Sequence, residues 1–267
     1  MAIHYCFPGG RAKALTMSYD DGRTQDIRLV SIFNKYGIKG TFNLNYGFLP
    51  LPGHVLPEQV EELYRGHEVA THTSHHPTIA RCPLSQVAEE ILEDRKGLES
   101  LVKYVVRGHA YPNGSYSKDI ESLFSNLGIA YARMADSVPN FELPQNPMEW
   151  HATCHHSDPN LMKYGHFLAE QALPLYLKLM YVWGHSYEFD EANNWDVIEE
   201  FCAYMGGRDD IWYATNIEII DYMQLLKNLR FTAAGDGVFN PGAASAWIAL
   251  SNGKVVEVPG GRFTQLS

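Results

Sequence analysis

Short apolar runs alternate along the chain with longer stretches of helical periodicity. AKALTMSYD (12–20), IKGTFNLN (38–45), HEVATHT (67–73), VVRGHAYP (105–112), IAYARMA (129–135), LKLMYVWGHSYEFD (177–190) and IWYATN (211–216) read as strands. TQDIRLVSIFNKYG (24–37) repeats Ile27, Val30, Ile32, Phe33 and Tyr36 at helical spacing and ends on Gly37. PEQVEELYRG (57–66), LSQVAEEILEDRKGLESLV (84–102), SKDIESLFSNLG (117–128), residues 161–173, WDVIEEFCAYMGG (195–207) and IEIIDYMQLLKNL (217–229) are predicted as further helices, Pro57 and Gly66 marking the ends of the first. Residues 136–160, rich in Pro, Asn and His, read as irregular. Strand–helix alternation of this extent predicts an α/β fold, an irregular (β/α) barrel of about seven parallel strands.

The pattern changes after residue 230. AAGDGVFNPGAASAWIALSNGKVVEVPGG lacks a helical period, and Ser-Asn-Gly-Lys between two apolar runs predicts a hairpin. The expected organisation is a barrel over 1–229 and a small β appendage over 230–267, which could cap, dimerise or cover a substrate.

Composition narrows the function classes. The chain has 267 residues, 45% of them apolar, enough for a full core. Its 21 basic and 31 acidic residues give a formal charge of −10, with no basic run, so nucleic acid and anionic membrane surfaces are poor partners. A neutral or cationic substrate fits better, and homo-oligomerisation stays open. The N-terminal segment lacks a signal-peptide pattern and no 18-residue apolar window exists, so a cytoplasmic protein is expected. Cys6, Cys82, Cys154 and Cys202 show no CxxC spacing and are expected to be free thiols.

Function in a parallel barrel sits at the C-terminal ends of the strands. Four polar clusters fall there: Ser18-Tyr19-Asp20-Asp21-Gly22, His72-Thr73-Ser74-His75-His76, Arg107-Gly108-His109-Ala110-Tyr111-Pro112 and Trp183-Gly184-His185-Ser186. Each has an ordinary reading by itself: a turn, a surface run, a structural ion pair, a core histidine. Together they supply a carboxylate and two imidazoles for an open metal site, a second carboxylate to take a proton, an arginine to hold it ionised, and a histidine to protonate a leaving group. This is the equipment for metal-assisted hydrolysis of an amide or ester. HATCHH (151–156) carries a further set, Cys154, His155 and His156, read as a cleft wall in preference to a second metal site.

The ordered clusters resemble the motifs of the polysaccharide deacetylase family, carbohydrate esterase family 4 (NodB homology), over about residues 10–225. The family's T-F-D-D-G stands as Ser18 to Gly22, its H-[ST]-x-x-H as His72 to His76, its arginine with aromatic-proline step as Arg107 to Tyr111-Pro112, and its late strand ending in histidine as Val182-Trp183-Gly184-His185. GTFNLN (40–45) is similar to the family's second strand. The resemblance implies Asp21, His72 and His76 as ligands of a divalent metal, zinc first and cobalt or another ion as substitutes. His75 becomes a spectator, Asp20 the general base with Arg107 paired to it, and His185 the general acid. It implies the Tyr111 backbone N–H as an oxyanion donor, and Trp150, Trp183 and Tyr187 are candidates to stack on a sugar. The family's Asp-Trp pair, which supports the acid histidine, is absent in clean form, with Glu149-Trp150 and Asp136 as the nearest candidates. Tyr19 replaces phenylalanine and is expected to put a hydroxyl behind the site.

The implied activity is removal of acetyl groups from N-acetylated sugars of chitooligosaccharide or peptidoglycan type. Three rivals remain: a hydrolase of O-acetyl esters or of a small cyclic amide, a metal-retaining binding protein without turnover, and a non-haem iron oxygenase.

Overall fold

The computed structural model describes residues 2–171 and 176–266. Its strands are β1 (Ile3–Cys6), β2 (Lys13–Asp20), β3 (Gly40–Leu44), β4 (Glu68–Thr71), β5 (Gly108–Ala110), β6 (Tyr131–Ser137), β7 (Trp150–Ala152), β8 (Cys154–His155), β9 (Lys178–His185), β10 (Ile211–Tyr213), β11 (Arg230–Phe231), β12 (Gly237–Asn240), β13 (Ala246–Leu250), β14 (Val255–Val258) and β15 (Arg262–Gln265). The helices are α1 (Asp26–Tyr36), α2 (Val60–Leu63), α3 (Leu84–Val102), α4 (Lys118–Asn126), α5 (Leu161–Glu170), α6 (Glu188–Glu191), α7 (Trp195–Met205) and α8 (Asn216–Lys227).

Strands β2 to β10 form one parallel sheet in the order β7-β6-β5-β4-β3-β2-β9-β8, with β10 beside the first half of β2. The two ends nearly meet, because β7 pairs with β6 while β8, one residue later, pairs with β9. Counting β7 and β8 as one split strand, eight parallel strands make a nearly closed barrel. The closing strand lies in the segment expected to be irregular. Its run is short and interrupted by Thr153, whose N–H and hydroxyl both bond to the Tyr181 backbone, so no alternation long enough to signal a strand builds up.

Alternation decides which residues face inward. Leu15, Met17 and Tyr19 of β2, with Phe42 and Leu44 of β3, pack outward against Leu29, Val30 and Phe33 of α1 and Phe201 and Met205 of α7. The opposite face of the same strands carries Thr16, Ser18 and Asp20, then Thr41 and Asn43, all buried. Tyr131 of β6 reaches Glu68 of β4 at 2.8 Å, and Arg133 of β6 reaches Asp20 of β2, so these polar side chains fill the lumen between strands that are not neighbours. α1 stops at Gly37, whose left-handed backbone (φ 67°) lets its N–H close on the last turn. The predicted helix at 57–66 is a 3-10 turn, Pro57–Gln59, followed by the single turn of α2. The predicted helix at 161–173 is α5, and its residues 172 and 173 lie outside the described residues.

The tail forms two small antiparallel sheets, β11-β12-β15 and β1-β13-β14, and the second recruits β1 from the start of the chain. The predicted hairpin joins β13 to β14, with Gly253 at φ 84° in its turn. Val238, Ala246, Ile248 and Val258 share a core with Ile219 and Leu226 of α8 and with Ala14 and Leu179, the second residues of β2 and β9. The tail thus covers the N-terminal end of the barrel, opposite Asp20 and His185, and does not cover a substrate there. No helix among the described residues is long and apolar enough to cross a membrane.

Candidate active site at the C-terminal end of the barrel

Register assembles the centre. In the parallel ladders Asp20 is the neighbour of His185 on one side and of Asn43 on the other. Asp20 is 2% exposed. Its Oδ1 accepts from Asn43 Nδ2 at 2.8 Å, and its Oδ2 is bonded by Arg133. The Nε2 atoms of His72 and His185 each lie 3.9 Å from that same Oδ2. Burial pushes the Asp20 carboxyl up, but Arg133, then His72 and His185, and the Asn43 bond outweigh it and hold it at about 2.

Asp21, His72 and His76 each offer a donor atom within 4.8 Å of the other two. Asp21 and His76 stand at φ 78° and 53°, and Thr73 at 61°, three non-glycine residues in the left-handed region within the two ligand loops. Such backbone is held only where its surroundings impose it. Part of that imposition is Asp94 of α3, which is fully buried and accepts the N–H groups of Tyr46 and His72 at 2.7 and 2.9 Å. The His72 Nδ1 lies 2.8 Å from the Ala110 carbonyl, so this nitrogen carries the proton and leaves Nε2 bare toward Asp21, 3.7 Å away. A carboxylate and two imidazoles presented this way suit a divalent ion of the zinc type. His75 turns aside and bonds Glu90 at 2.9 and 3.1 Å. A depression of about 270 Å³ opens beside the ligands, lined by Asp21, Arg23, Phe48, His54, His75 and His76.

Several sequence expectations are corrected. Arg107 does not reach Asp20: it precedes β5, at the far end of the barrel, and pairs with Asp221 of α8. Arg133, in the middle of β6 and 1% exposed, takes that place, with its guanidinium 4.3 Å from the Trp183 ring. The Tyr111 N–H is already donated to the Arg133 carbonyl at 3.0 Å, because Tyr111 continues the β5–β6 ladder, so it is not a free oxyanion donor. Trp150 is 2% exposed, wedged edge-on against Tyr131 and Tyr181, and offers no face to a sugar. Trp183 and Tyr187, both half-buried, flank His185 with ring centres 5.9 and 5.3 Å away. Tyr19 points out of the lumen and stacks on His156 at 5.7 Å, its hydroxyl without a partner among the described residues.

The carboxylate beside His185 is also a different one. Asp136 bonds His151 and Glu149 bonds Lys118. Glu188, the first residue of α6, lies 3.3 Å from His185 Nδ1 and accepts the His185 backbone N–H at 3.1 Å. Burial alone would lower the His185 imidazole. Glu188, then Asp20 and Asp21, hold it above its ordinary value. His155 and His156 gather on the same carboxylate, each with Nε2 3.2 Å from Oε2. Gly184 makes this possible, since a Cβ there would sit 2.1 Å from His156 Nδ1.

Sequence reasoning passed over Arg133, Glu188, Asn43 and Asp94. Two carried a signal: a lone arginine inside the apolar strand IAYARMA, and a glutamate three residues beyond His185.

The family model for polysaccharide deacetylases matches residues 8–132. A chitooligosaccharide deacetylase of Bradyrhizobium sp. (strain ANU 289) is 24% identical over 123 residues, 44% of this chain and 54% of that protein. The chain therefore spans about half the length of this curated relative. Among solved structures, a Mycobacterium smegmatis protein assigned to the polysaccharide deacetylases aligns over 85% of this chain and 95% of its own, at 16% identity and a TM-score of 0.62. A carbohydrate esterase family 4 pseudoenzyme of Bacillus anthracis aligns over 82% of this chain and 68% of its own, at 14% identity and a TM-score of 0.51. These likenesses place the barrel among known folds, and the pseudoenzyme makes plain that the fold does not by itself carry turnover. With that match over residues 8–132 and a barrel of the same fold around it, the chain is similar to the polysaccharide deacetylases.

Proposed function

We propose that this protein is a metal-dependent hydrolase that removes acetyl groups from N-acetylated sugars. The observation that carries the reading is the convergence of Asp20, His72 and His185 at one point, with the imidazoles 3.9 Å from the same carboxylate oxygen. Asp21, His72 and His76 would hold a divalent ion, zinc being the first choice. Such an ion acidifies water and polarises an acyl oxygen.

The other steps belong to the chain's own groups. Arg133 and Asn43 keep Asp20 ionised and fix its orientation, so it takes the proton of the attacking water as the water adds to the acetyl carbon. His185, whose protonated form Glu188 favours, gives its proton to the sugar nitrogen as the carbon–nitrogen bond breaks. Acetate and a free amine leave. Trp183 and Tyr187, half-buried on either side of His185, would stack on the sugar ring. The formal charge of −10 suits an uncharged substrate whose product is a cation.

Acetate release from N-acetylglucosamine oligomers, before and after chelation and zinc restoration, tests the reading. Asp20→Asn and His185→Ala should each lower release by about 10²–10⁴-fold. Undiminished activity in either variant would sink the mechanism. Release confined to an O-acetyl ester or a cyclic amide would move the substrate assignment.

A further inference from the structure

We propose that His155, His185 and Glu188 form a second divalent-metal site, distinct from the Asp21–His72–His76 set, whose occupation inhibits the enzyme. The three offer donor atoms that all lie within 4.8 Å of one another. His155 Nε2 is 3.2 Å from Glu188 Oε2, and His185 Nδ1 is 3.3 Å from Glu188 Oε1. A tetrahedral zinc-type ion with bonds of about 2.0–2.2 Å keeps its ligands roughly 3.3–3.5 Å apart, and each imidazole already stands near that spacing from one of the two Glu188 oxygens.

The outer contacts match what such ligands need. His155 Nδ1 lies 2.7 Å from Ser157 Oγ and accepts the Ser157 backbone N–H at 3.2 Å, contacts that orient the ring with Nε2 toward Glu188. His156, 2% exposed, keeps its Nε2 3.2 Å from Glu188 Oε2 and so steadies the carboxylate from behind. The His185 backbone N–H fixes it from a third direction at 3.1 Å. The donors are on defined elements, β8, the end of β9 and the first turn of α6, and no loop has to close. The site is also open: the side chains of His155, His185 and Glu188 are 21, 22 and 31% exposed, enough for an ion to enter from solvent.

The second ion has a chemical consequence. Bound to His185 Nδ1, it replaces the proton on that nitrogen, and the ring can no longer be the imidazolium that donates readily near neutral pH. This inhibition rests on the proposed role of His185; the binding does not. Metal dependence should therefore be biphasic, one equivalent activating and a second suppressing.

The test is titration of chelator-stripped full-length protein with Co²⁺, followed by visible absorption, and with Zn²⁺, followed by calorimetry. Two equivalents are expected in the wild type. His76→Ala should lose the first, and His155→Ala and the isosteric Glu188→Gln should each lose the second. Wild-type acetate release should fall by about 10²-fold as the second equivalent loads, the low end of what a general acid contributes. His155→Ala, compared with its own rate at one equivalent, should not fall. A single equivalent in the wild type, or a second that persists in both His155→Ala and Glu188→Gln, overturns the site. A second equivalent lost in both variants, with no acetate released from any substrate, leaves the site standing and removes the deacetylase reading.

Discussion

Arginine chemistry at the residue scale turns on which end of the barrel a side chain occupies. Arg133 is 1% exposed and bonded to a carboxylate that is 2% exposed, whereas Arg107 and Asp221 have side chains 35 and 54% exposed. Removing one partner of a buried pair leaves an uncompensated charge and costs about 3–5 kcal/mol, while an exposed pair contributes about 0–1 kcal/mol. Arg133→Met should therefore lower the unfolding free energy by several kcal/mol and abolish acetate release, and Arg107→Met should change neither by more than about twofold in rate or 1 kcal/mol in stability. Denaturant unfolding and acetate release on the two variants check this, and equal effects would mean that the two arginines share the work.

Elements act by holding the ligand loops in backbone they would not choose. Asp94 spends both carboxylate oxygens on backbone N–H groups, one at Tyr46, the first residue of the 3-10 turn Tyr46–Phe48, and one at His72, and so ties α3 to the end of β4. Burial drives this carboxyl well up, against the two N–H bonds that pull it down, so it is a costly anchor kept for geometry. Asp94→Ala frees His72 and the strained Thr73 behind it. Support of this kind is typically worth about 10–100-fold in metal affinity. Zinc affinity of Asp94→Ala, measured by competition with a chelator, should fall in that range while the circular dichroism spectrum is retained. An unchanged affinity would show that the loop is held by its other contacts alone, such as Asn45 Nδ2 on the His72 and Thr73 carbonyls at 2.7 and 2.8 Å.

The whole molecule carries a pH dependence that originates away from the proposed chemistry. Glu68 is buried in the lumen, where desolvation raises it to about 7 against the bonds from Ile217 N–H, Tyr131 and Thr41. A carboxyl with a raised folded-state pKa contributes its full stability below the unfolded value and loses it as pH climbs through the folded value. Stability should thus decline between about pH 4 and pH 7 by an amount on the order of 2–3 kcal/mol from this group. Glu68→Gln keeps the shape, its oxygen still accepting from Ile217 N–H and Thr41 while the Tyr131 hydroxyl turns to accept from its amide, and it should flatten that slope. Unfolding free energies at pH 4.5, 6 and 8 for both proteins would reveal it, and parallel curves would mean that Glu68 is charged throughout.

Much of this was written in the chain itself. Alternating periods specified strands and helices because a strand repeats every two residues and a helix every 3.6, and the order of units specified a parallel barrel with its chemistry at one end. Asp20, Asp21, His72, His76 and His185 were legible because they are short-range clusters, each at a strand terminus. The partners of those residues were not. Arg133 was preferred over Arg107 by where β6 lies across the lumen, and Glu188 over Glu149 or Asp136 by the turn after β9, which folds α6 back onto His185. Trp150 was removed from the surface, and the Tyr111 N–H from the oxyanion, by a ladder that forms only when β5 meets β6. A local pattern records which way a side chain alternates. Which charge it meets across the barrel depends on register and closure, and these exist only once distant strands have paired.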